Sequence, residues 1–124
     1  MELKYVGGTY GGNRRPTKFL CLLLKMLQIQ PEEEIILEFI KNKDYKYIRV
    51  LGMFYFRMVC QRPKDIYTVL EPLYADYRKL NFRETSGQFT TIHIDEVVDK
   101  LLRDERFCEV ILPRVQKRYV LEQN

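Results

Sequence analysis

Apolar residues recur at helical spacing through most of the chain, and the first such stretch is the most hydrophobic. Residues 19–27 contain one strongly polar side chain, Lys25, and Pro16 precedes them. Because proline suits the first helical turn, the pattern predicts a helix that begins near Pro16 and is buried on nearly all sides. At about a dozen residues it is too short to span a bilayer, which needs roughly 20.

Two further helices follow along the chain. Pro31 and the three glutamates after it indicate a helix start, because carboxylates are stabilised near the positive end of the helix dipole. Asp44 is the expected cap of a third, central helix over residues 45 to about 60. Gly52 within that helix costs stability relative to alanine, which predicts that another helix crosses closely there.

Two arginines interrupt the apolar pattern of the third helix. Arg49 and Arg57 exclude a transmembrane segment, because a charge near the centre of a bilayer is expensive. Two interpretations remain open. Each arginine pairs with a carboxylate at the edge of the core, such as Glu38, or one of them reaches an acidic group of a partner.

The fourth helical stretch contains a proline in its middle. Pro72 must clash with the carbonyl four residues earlier, which predicts a kink or break near residues 67–71. Three tyrosines around it either present hydroxyls to a partner or form aromatic core with a wet edge. They are Tyr67, Tyr74 and Tyr77.

The pattern then changes to alternation. Residues 80–92 predict a small β-hairpin about the Ser86–Gly87 turn, the only strand signal in the chain. A fifth helix should begin at Asp95, with His93 as its cap or facing solvent rather than acting as a catalyst or metal ligand. At the amino terminus, residues 1–6 are expected to form the last turn of a helix closed by Gly7.

Length and composition limit the possibilities further. A chain of 124 residues fits one domain, and a net charge of +4 allows only weak attraction to nucleic acid. The three cysteines are odd in number and lie in apolar runs, which favours reduced thiols in the core. They are Cys21, Cys60 and Cys108.

The glycine-rich stretch before the first helix raises the question of phosphate binding. Arg14, Arg15 and Lys18 stand beside four glycines, but the GK[ST] pair of a P-loop and the GxGxxG of a dinucleotide fold are absent. We interpret the loop as a structural turn whose cations are open to a partner. Direct RNA contact through them is the alternative function.

Catalytic motifs are lacking as well. The sequence has a single histidine and neither CxxC nor HExxH, so we expect no enzyme, metal or cofactor. The basic carboxy-terminal segment suits a helix end or an acidic partner. Its candidate contact residues are Arg114, Lys117, Arg118 and Tyr119.

Four blocks of sequence together resemble the pre-mRNA-splicing factor 38 family. They are VGGTYGGNRRPTKFLCLLLKMLQIQPEEEIILEFI, YIRVLGMFYFRM, YTVLEPLYADYRKL and ILPRVQKRYVLE. The resemblance implies a nuclear, non-enzymatic scaffold of the spliceosome, associated with the tri-snRNP and the B complex and needed for activation. It implies that helical segments of other splicing factors bind, including a microfibrillar-associated-protein family member and a matrin-type zinc-finger protein.

The resemblance also sets expectations about architecture. We expect an all-α domain over residues 1–124 with one small hairpin near residues 80–92, monomeric outside its complex and without membrane contact. Family members usually have a helical stretch before the position of Met1, and many have an Arg/Ser-rich or charged tail. The chain is thus expected to represent the core of the domain, without those two portions.

Overall fold

Five α-helices and six short strands make up the framework of the computed structural model, which describes residues 3–108 and 110–113. The strands pair two by two into three antiparallel sheets. In chain order the elements are β1 Thr9–Tyr10, β2 Arg15–Pro16, α1 Lys18–Ile29, α2 Glu33–Lys41, α3 Lys46–Val59, α4 Pro63–Leu70, a 3₁₀ helix Glu71–Ala75, β3 Lys79–Arg83, β4 Phe89–His93, α5 Ile94–Arg103, β5 Arg106–Phe107 and β6 Val110–Ile111.

Helix α3 is the centre of the core. Every residue from Arg49 to Arg57 is buried, and α1, α2, α4 and α5 all pack against it. Gly52 lies at the crossing with α2, where an added Cβ would be 2.8 Å from the Cβ of Phe39 and 3.1 Å from Cγ1 of Ile40. The predicted close helix crossing at Gly52 is therefore confirmed.

Helix α1 differs from its prediction in both start and burial. Pro16 lies in β2, and Thr17 caps the helix by accepting a hydrogen bond from the Leu20 amide at 3.1 Å. Only Phe19, Leu20 and Leu23 are buried, whereas Ile29 is 64% exposed. The expectation of burial on nearly all sides is wrong, because α1 packs on α3 along one side only.

The amino-terminal segment is extended rather than helical from residue 3 onward. Val6 runs parallel to β3: its amide donates to the Asn81 carbonyl, and its carbonyl accepts from the Arg83 amide, both at 2.8 Å. Gly7 permits this close approach, since a Cβ there would lie 2.9 Å from the Arg83 carbonyl oxygen. The predicted helix turn closed by Gly7 is thus wrong over the described residues.

The predicted hairpin is confirmed as β3 and β4, with Leu80 opposite Ile92 and both side chains buried. It does not stand alone, because β1 pairs with β2 and β5 pairs with β6. The fold is mostly helical with three small sheets, not purely all-α. The two extra pairs have only two residues per strand, too few to show an alternating pattern in the sequence.

The helix boundaries confirm two local predictions and correct a third. Helix α4 ends at Leu70 and a 3₁₀ turn containing Pro72 follows, as the proline predicted. His93 caps α5, and its amide donates to Oε1 of Glu96 at 3.1 Å. Asp44 does not cap α3; instead Oδ1 of Asn42 accepts from the amides of residues 44 and 45, each at 3.0 Å.

All three cysteines are free thiols, as expected, but they occupy different environments. Cys108 is buried, Cys60 is half-buried and Cys21 is exposed on α1, so the core location predicted for Cys21 is wrong. None of the helices in the described part of the chain is both long and apolar enough to cross a bilayer.

Candidate partner-binding surfaces

A surface depression of about 270 Å³ lies between the start of α2 and the end of α3. Its floor is formed by the buried side chains of Ile36, Tyr55 and Phe56. Val59 lines it and is partly exposed, and the neighbouring Ile35 is exposed as well. Burial raises the pKa of the Tyr55 hydroxyl, so this side chain is neutral at physiological pH. The depression is therefore apolar at its floor and open to solvent.

Charged residues close one side of the depression. Arg62 lies between two carboxylates: Nη2 is 2.5 Å from Oε1 of Glu33, and Nε pairs with Asp65. The hydrogen bond with Asp65 and the charge of Glu33 raise the pKa of the Arg62 guanidinium. These exposed pairs connect the starts of α2 and α4. They add little stability, because solvent screens them.

The outer side of α1 is a second exposed apolar surface. Helical spacing places six exposed residues on the side opposite Phe19 and Leu23. They are Lys18, Cys21, Leu24, Lys25, Gln28 and Ile29. Apolar side chains flanked by lysines on one helix face match an amphipathic partner helix with acidic residues. Of the cations predicted from the glycine-rich loop, Lys18 thus belongs to this surface.

The three candidate tyrosines occupy three different environments. Tyr67 is only 7% exposed and belongs to the core, as the structural interpretation required. Tyr74 donates from its hydroxyl to Oδ1 of Asp99 at 3.0 Å, and burial followed by this interaction raises its pKa. Tyr77 is 70% exposed. Among these three, Tyr77 presents the largest surface to a partner.

The arginines of α3 serve the fold. Nη1 of Arg49 is 2.8 Å from Oδ2 of Asp76, and its Nε donates to the Ile40 carbonyl at 2.7 Å. The predicted pairing with a carboxylate is thus confirmed for Arg49, but the partner is Asp76 and not Glu38. Nε of Arg57 donates to the Leu101 carbonyl at 2.6 Å, with no carboxylate paired to it within residues 3–108 and 110–113. Burial lowers the pKa of Arg57.

Asp76 joins the end of the 3₁₀ helix to α3 and β3. Burial alone would raise its pKa, but hydrogen bonds from the side chain and amide of Arg78 and from Arg49 outweigh that effect and lower it to about 2. The carboxylate therefore remains ionised throughout the physiological range. Its contacts are internal, so we assign Asp76 to the fold and not to a partner surface.

The predicted basic loop lies at the end of the β1–β2 hairpin. Arg14 is exposed with a φ of 53°, and Arg15 in β2 is exposed and directly opposite Tyr10. The remaining candidates, Arg114, Lys117, Arg118 and Tyr119, lie outside the described residues. The structure thus gives the position of Arg14 and Arg15, whereas the four carboxy-terminal candidates stay predictions.

One cluster was missed by the sequence analysis. The Arg83 guanidinium is 3.7 Å from the ring centroid of Tyr10 and 4.9 Å from that of Phe89, and the ring of Tyr5 makes a T-shaped contact with that of Phe89. Part of it was recognisable, because a hairpin centred on Ser86–Gly87 places Arg83 near Phe89. The contribution of the two tyrosines had no sequence signal, since they lie on separate segments.

A metal-binding cluster is not among the features of the described residues. Within residues 3–108 and 110–113, no group of three or more His, Cys, Asp or Glu side chains is placed to hold a metal ion. The surfaces found there are a depression with an apolar floor, an exposed helix face and a cluster of arginine with aromatic rings. Each of these is suited to binding another molecule.

Comparison with known proteins decides the family. The PRP38 family profile matches residues 1–124. This chain belongs to the PRP38 family. The resemblance drawn from the four sequence blocks is therefore confirmed, and the blocks fall on α1 to α3, on the α4–3₁₀ segment and on the region that begins at β6.

Named relatives of this PRP38-family chain are splicing factors. It is 61% identical over 123 residues to "Pre-mRNA-splicing factor 38A" of Xenopus tropicalis and 59% identical to that of Homo sapiens. In both cases the match covers 99% of this chain and 39% of the relative. The chain is thus a homologue of pre-mRNA-splicing factor 38A that spans about two-fifths of the length of these relatives.

A solved structure shares the fold. A chain in the crystal structure of the Snu23-Prp38-MFAP1(217-258) complex of Chaetomium thermophilum matches with a TM-score of 0.90 and 35% identity. The match covers 98% of this PRP38-family chain and 63% of that chain. The arrangement of helices and small sheets described above is therefore shared with a protein that was solved in a three-component complex.

Proposed function

We propose that this PRP38-family chain is a non-enzymatic, nuclear scaffold of the spliceosome that binds helical segments of other splicing factors. Within that proposal, residues 1–124 form one domain, associate with the tri-snRNP and the B complex, and support spliceosome activation. The observation behind it is the likeness, at a TM-score of 0.90 and 35% identity, to a chain in the Snu23-Prp38-MFAP1(217-258) complex. The partners proposed are MFAP1-like and Snu23-like proteins.

The absence of a catalytic role in this proposal rests on the sequence. Nucleophilic and acid–base catalysis need a base within hydrogen-bond reach of the group it activates. The chain has one histidine, and Nδ1 of that residue, His93, is 2.5 Å from Oε1 of Glu96 within the α5 cap. A function in holding other proteins accounts for the named relatives without requiring turnover.

We assign two surfaces to the partner segments. The depression between α2 and α3 offers a concave apolar floor, and the outer side of α1 offers Leu24 and Ile29 between lysines. An amphipathic helix inserts apolar side chains at i, i+3 and i+4 into such a surface. Acidic residues at the edge of that helix would pair with Lys18 and Lys25. The exposed Tyr77 is a proposed third contact, and Arg14 and Arg15 remain further candidates.

Isothermal titration calorimetry with the MFAP1(217-258) segment named in the solved complex tests this assignment. Val59→Asp introduces a charge into the depression and Leu24→Asp introduces one on α1. Each side chain is partly exposed already, so both variants should fold. We expect at least one of them to weaken binding more than about tenfold, since an unpaired charge in a buried interface costs several kcal/mol.

The matched control is Ile111→Asp, which changes a 68% exposed apolar residue on β6 that belongs to neither surface. Tyr77→Ala, measured in the same way, tests the third contact. Wild-type affinity in both aspartate variants would contradict the assignment of the two surfaces. Failure of the wild-type chain to bind either this segment or Snu23 would contradict the scaffold proposal itself.

A further inference from the structure

Two of the small sheets each place an arginine beside an aromatic ring. In the β1–β2 pair Tyr10 is directly opposite Arg15, and in the β3–β4 pair Arg83 is directly opposite Phe89. Residues directly opposite each other in an antiparallel pair project from the same face, with Cβ atoms about 5 Å apart. Each hairpin therefore displays one cation and one ring on one face.

The two hairpins meet so that their pairs form one cluster. The Gly11 amide in the first turn donates to the Thr85 carbonyl in the second at 2.9 Å. The guanidinium carbon of Arg83 lies 3.7 Å from the ring centroid of Tyr10 and 4.9 Å from that of Phe89. Arginine and aromatic side chains thus alternate from Arg15 through Tyr10 and Arg83 to Phe89, and we call these four residues the arginine–aromatic cluster.

Tyr5 extends the cluster on its far side. Its ring meets Phe89 edge to face, with centroids 5.2 Å apart and an interplanar angle of 74°, and lies 5.7 Å from the Arg83 guanidinium carbon. Phe89 nevertheless remains 53% exposed. Phe89 is thus held by contacts with Tyr5 and the Arg83 guanidinium, while about half of its surface stays open for stacking.

The charges of the cluster are not neutralised by carboxylates. Neither Arg83 nor Arg15 forms an ion pair with any residue in the described ranges, and Nε of Arg83 is buried without a hydrogen-bond partner. Lys4, which precedes Tyr5 in the sequence, is also exposed. The nearest acid in sequence, Glu84, accepts a hydrogen bond from the Thr90 hydroxyl at 3.0 Å.

A guanidinium held between rings keeps its planar orientation and has N–H donors in a fork that fits phosphate oxygens. An exposed ring beside it stacks with a nucleobase, and every base has a face that can stack. Bases are accessible for stacking when the strand is unpaired. An acidic peptide would satisfy the arginines equally well but would leave the open Phe89 ring unused.

We propose that the arginine–aromatic cluster binds single-stranded RNA, with Arg83 and Arg15 contacting phosphates and Phe89 stacking on a base. This activity is separate from the binding of protein helices, which we place on α1 and at the α2–α3 depression. The cluster also differs from the loop of Arg14, Arg15 and Lys18 considered in the sequence analysis. Its principal cation, Arg83, comes from the β3–β4 hairpin instead.

Fluorescence anisotropy with a short, labelled, unstructured RNA and the 124-residue chain tests the proposal across a salt series. We expect Arg83→Gln and Arg15→Gln each to weaken binding about tenfold and to reduce the slope of log K against log salt by about 1, as loss of a phosphate contact does. Phe89→Leu should weaken binding roughly five- to tenfold without changing that slope, because it removes only stacking.

The matched control is Lys64→Gln, which removes one exposed charge from α4. It should leave affinity within about twofold of the unchanged chain, since it lies outside the cluster. Circular dichroism verifies folding, and Arg15→Gln keeps the test decisive if Arg83→Gln disturbs the contact between the hairpins. Unchanged binding of MFAP1(217-258) by Phe89→Leu, a residue outside the protein-binding surfaces proposed above, would show that the two activities are separable.

Three results would overturn the proposal. Equal losses in Arg15→Gln and Lys64→Gln would show attraction to net charge alone. Binding that does not depend on salt, or no binding near physiological ionic strength, would exclude phosphate contacts. A polyglutamate peptide that binds as tightly as the RNA and displaces it would make this a protein-binding surface, and tighter binding of DNA of the same sequence would exclude the assignment to RNA.

Discussion

Two arginines of this molecule, the buried Arg49 and the half-buried Arg83, are held in position by opposite means. Arg49 has a carboxylate, Asp76, at 2.8 Å and the carbonyls of Ile40 and Lys41 as further acceptors. Arg83 lies against the rings of Tyr10 and Phe89 and has no acceptor for its buried Nε. At the Arg49 site a carboxylate neutralises the charge and carbonyls accept further hydrogen bonds. At the Arg83 site the rings hold the guanidinium in position, but no carboxylate among the described residues neutralises its charge.

The difference separates a structural from a binding arginine. Removing one partner of a buried ion pair leaves an uncompensated charge, so the Arg49 site is expected to matter for stability. A cation on aromatic rings at a partly exposed site contributes only about 0.5–1 kcal/mol, so the Arg83 site is expected to matter for binding.

The largest effect on stability should follow from removing the carboxylate of Asp76, the charge partner of Arg49. Asp76→Ala is expected to lower the free energy of unfolding by roughly 3–5 kcal/mol, because Arg49 would remain buried without its charge partner. The side chains of this pair are each 10% exposed. Urea unfolding followed by circular dichroism measures the change.

Asp65→Ala is the control, because Asp65 pairs with Arg62 where both side chains are largely exposed. We expect a loss of no more than about 1 kcal/mol there. Similar losses in the two variants would remove the distinction between the buried and the exposed pair.

Acid should weaken the same site. Asp76 has a pKa of about 2 in the folded protein against a reference value of 3.8. A carboxyl whose pKa is lower in the folded state stabilises the fold above the unfolded pKa, and this contribution is lost as pH falls through the folded value. We expect a loss of about 2 kcal/mol between pH 5 and pH 1.

Urea unfolding at several pH values measures this loss, and Asp76→Asn should remove the corresponding part of the pH dependence. An Asp76→Asn variant with the same pH profile as the unchanged chain would show that other carboxyls cause the acid sensitivity. No comparable acid transition is expected from the Arg83 site, which has no carboxylate partner among the described residues.

The smallest effect on stability is expected at Arg83. Arg83→Gln should change the free energy of unfolding by less than about 1 kcal/mol, because the lost cation–π contact is weak and the buried Nε has no hydrogen bond to lose. The same urea titration measures it. A loss as large as that of Asp76→Ala would make Arg83 a structural residue and remove the contrast with Arg49.

Local signals in the sequence were enough for several elements. Gly52 predicted a close helix crossing, Pro72 predicted the break after α4, and alternation about the Ser86–Gly87 turn predicted β3 and β4. In each case the cause lies within a few residues of the effect: a missing Cβ, a missing amide hydrogen or a tight turn. The family resemblance was also readable, because the four blocks occur in one order along the chain.

Predictions failed where the partner lies far away in sequence. The apolar composition of α1 could not show that only one side meets α3, and nothing near Arg49 indicated Asp76. The β1–β2 and β5–β6 pairs are too short to show a pattern. The arginine–aromatic cluster joins two hairpins that lie far apart in sequence, so only the proximity of Arg83 to Phe89 within one hairpin could be predicted.

The docking of Val6 beside β3 also bears on the order in which the molecule assembles. Four of the five described helices, α1 to α4, lie between Val6 and its partners Asn81 and Arg83, and contacts across so long a loop form late because of their entropic cost. Tyr5 precedes Val6 directly, and Tyr10 follows soon after. Completion of the arginine–aromatic cluster is thereby coupled to one of the last events of folding, so a nascent or incompletely folded chain would lack the RNA site.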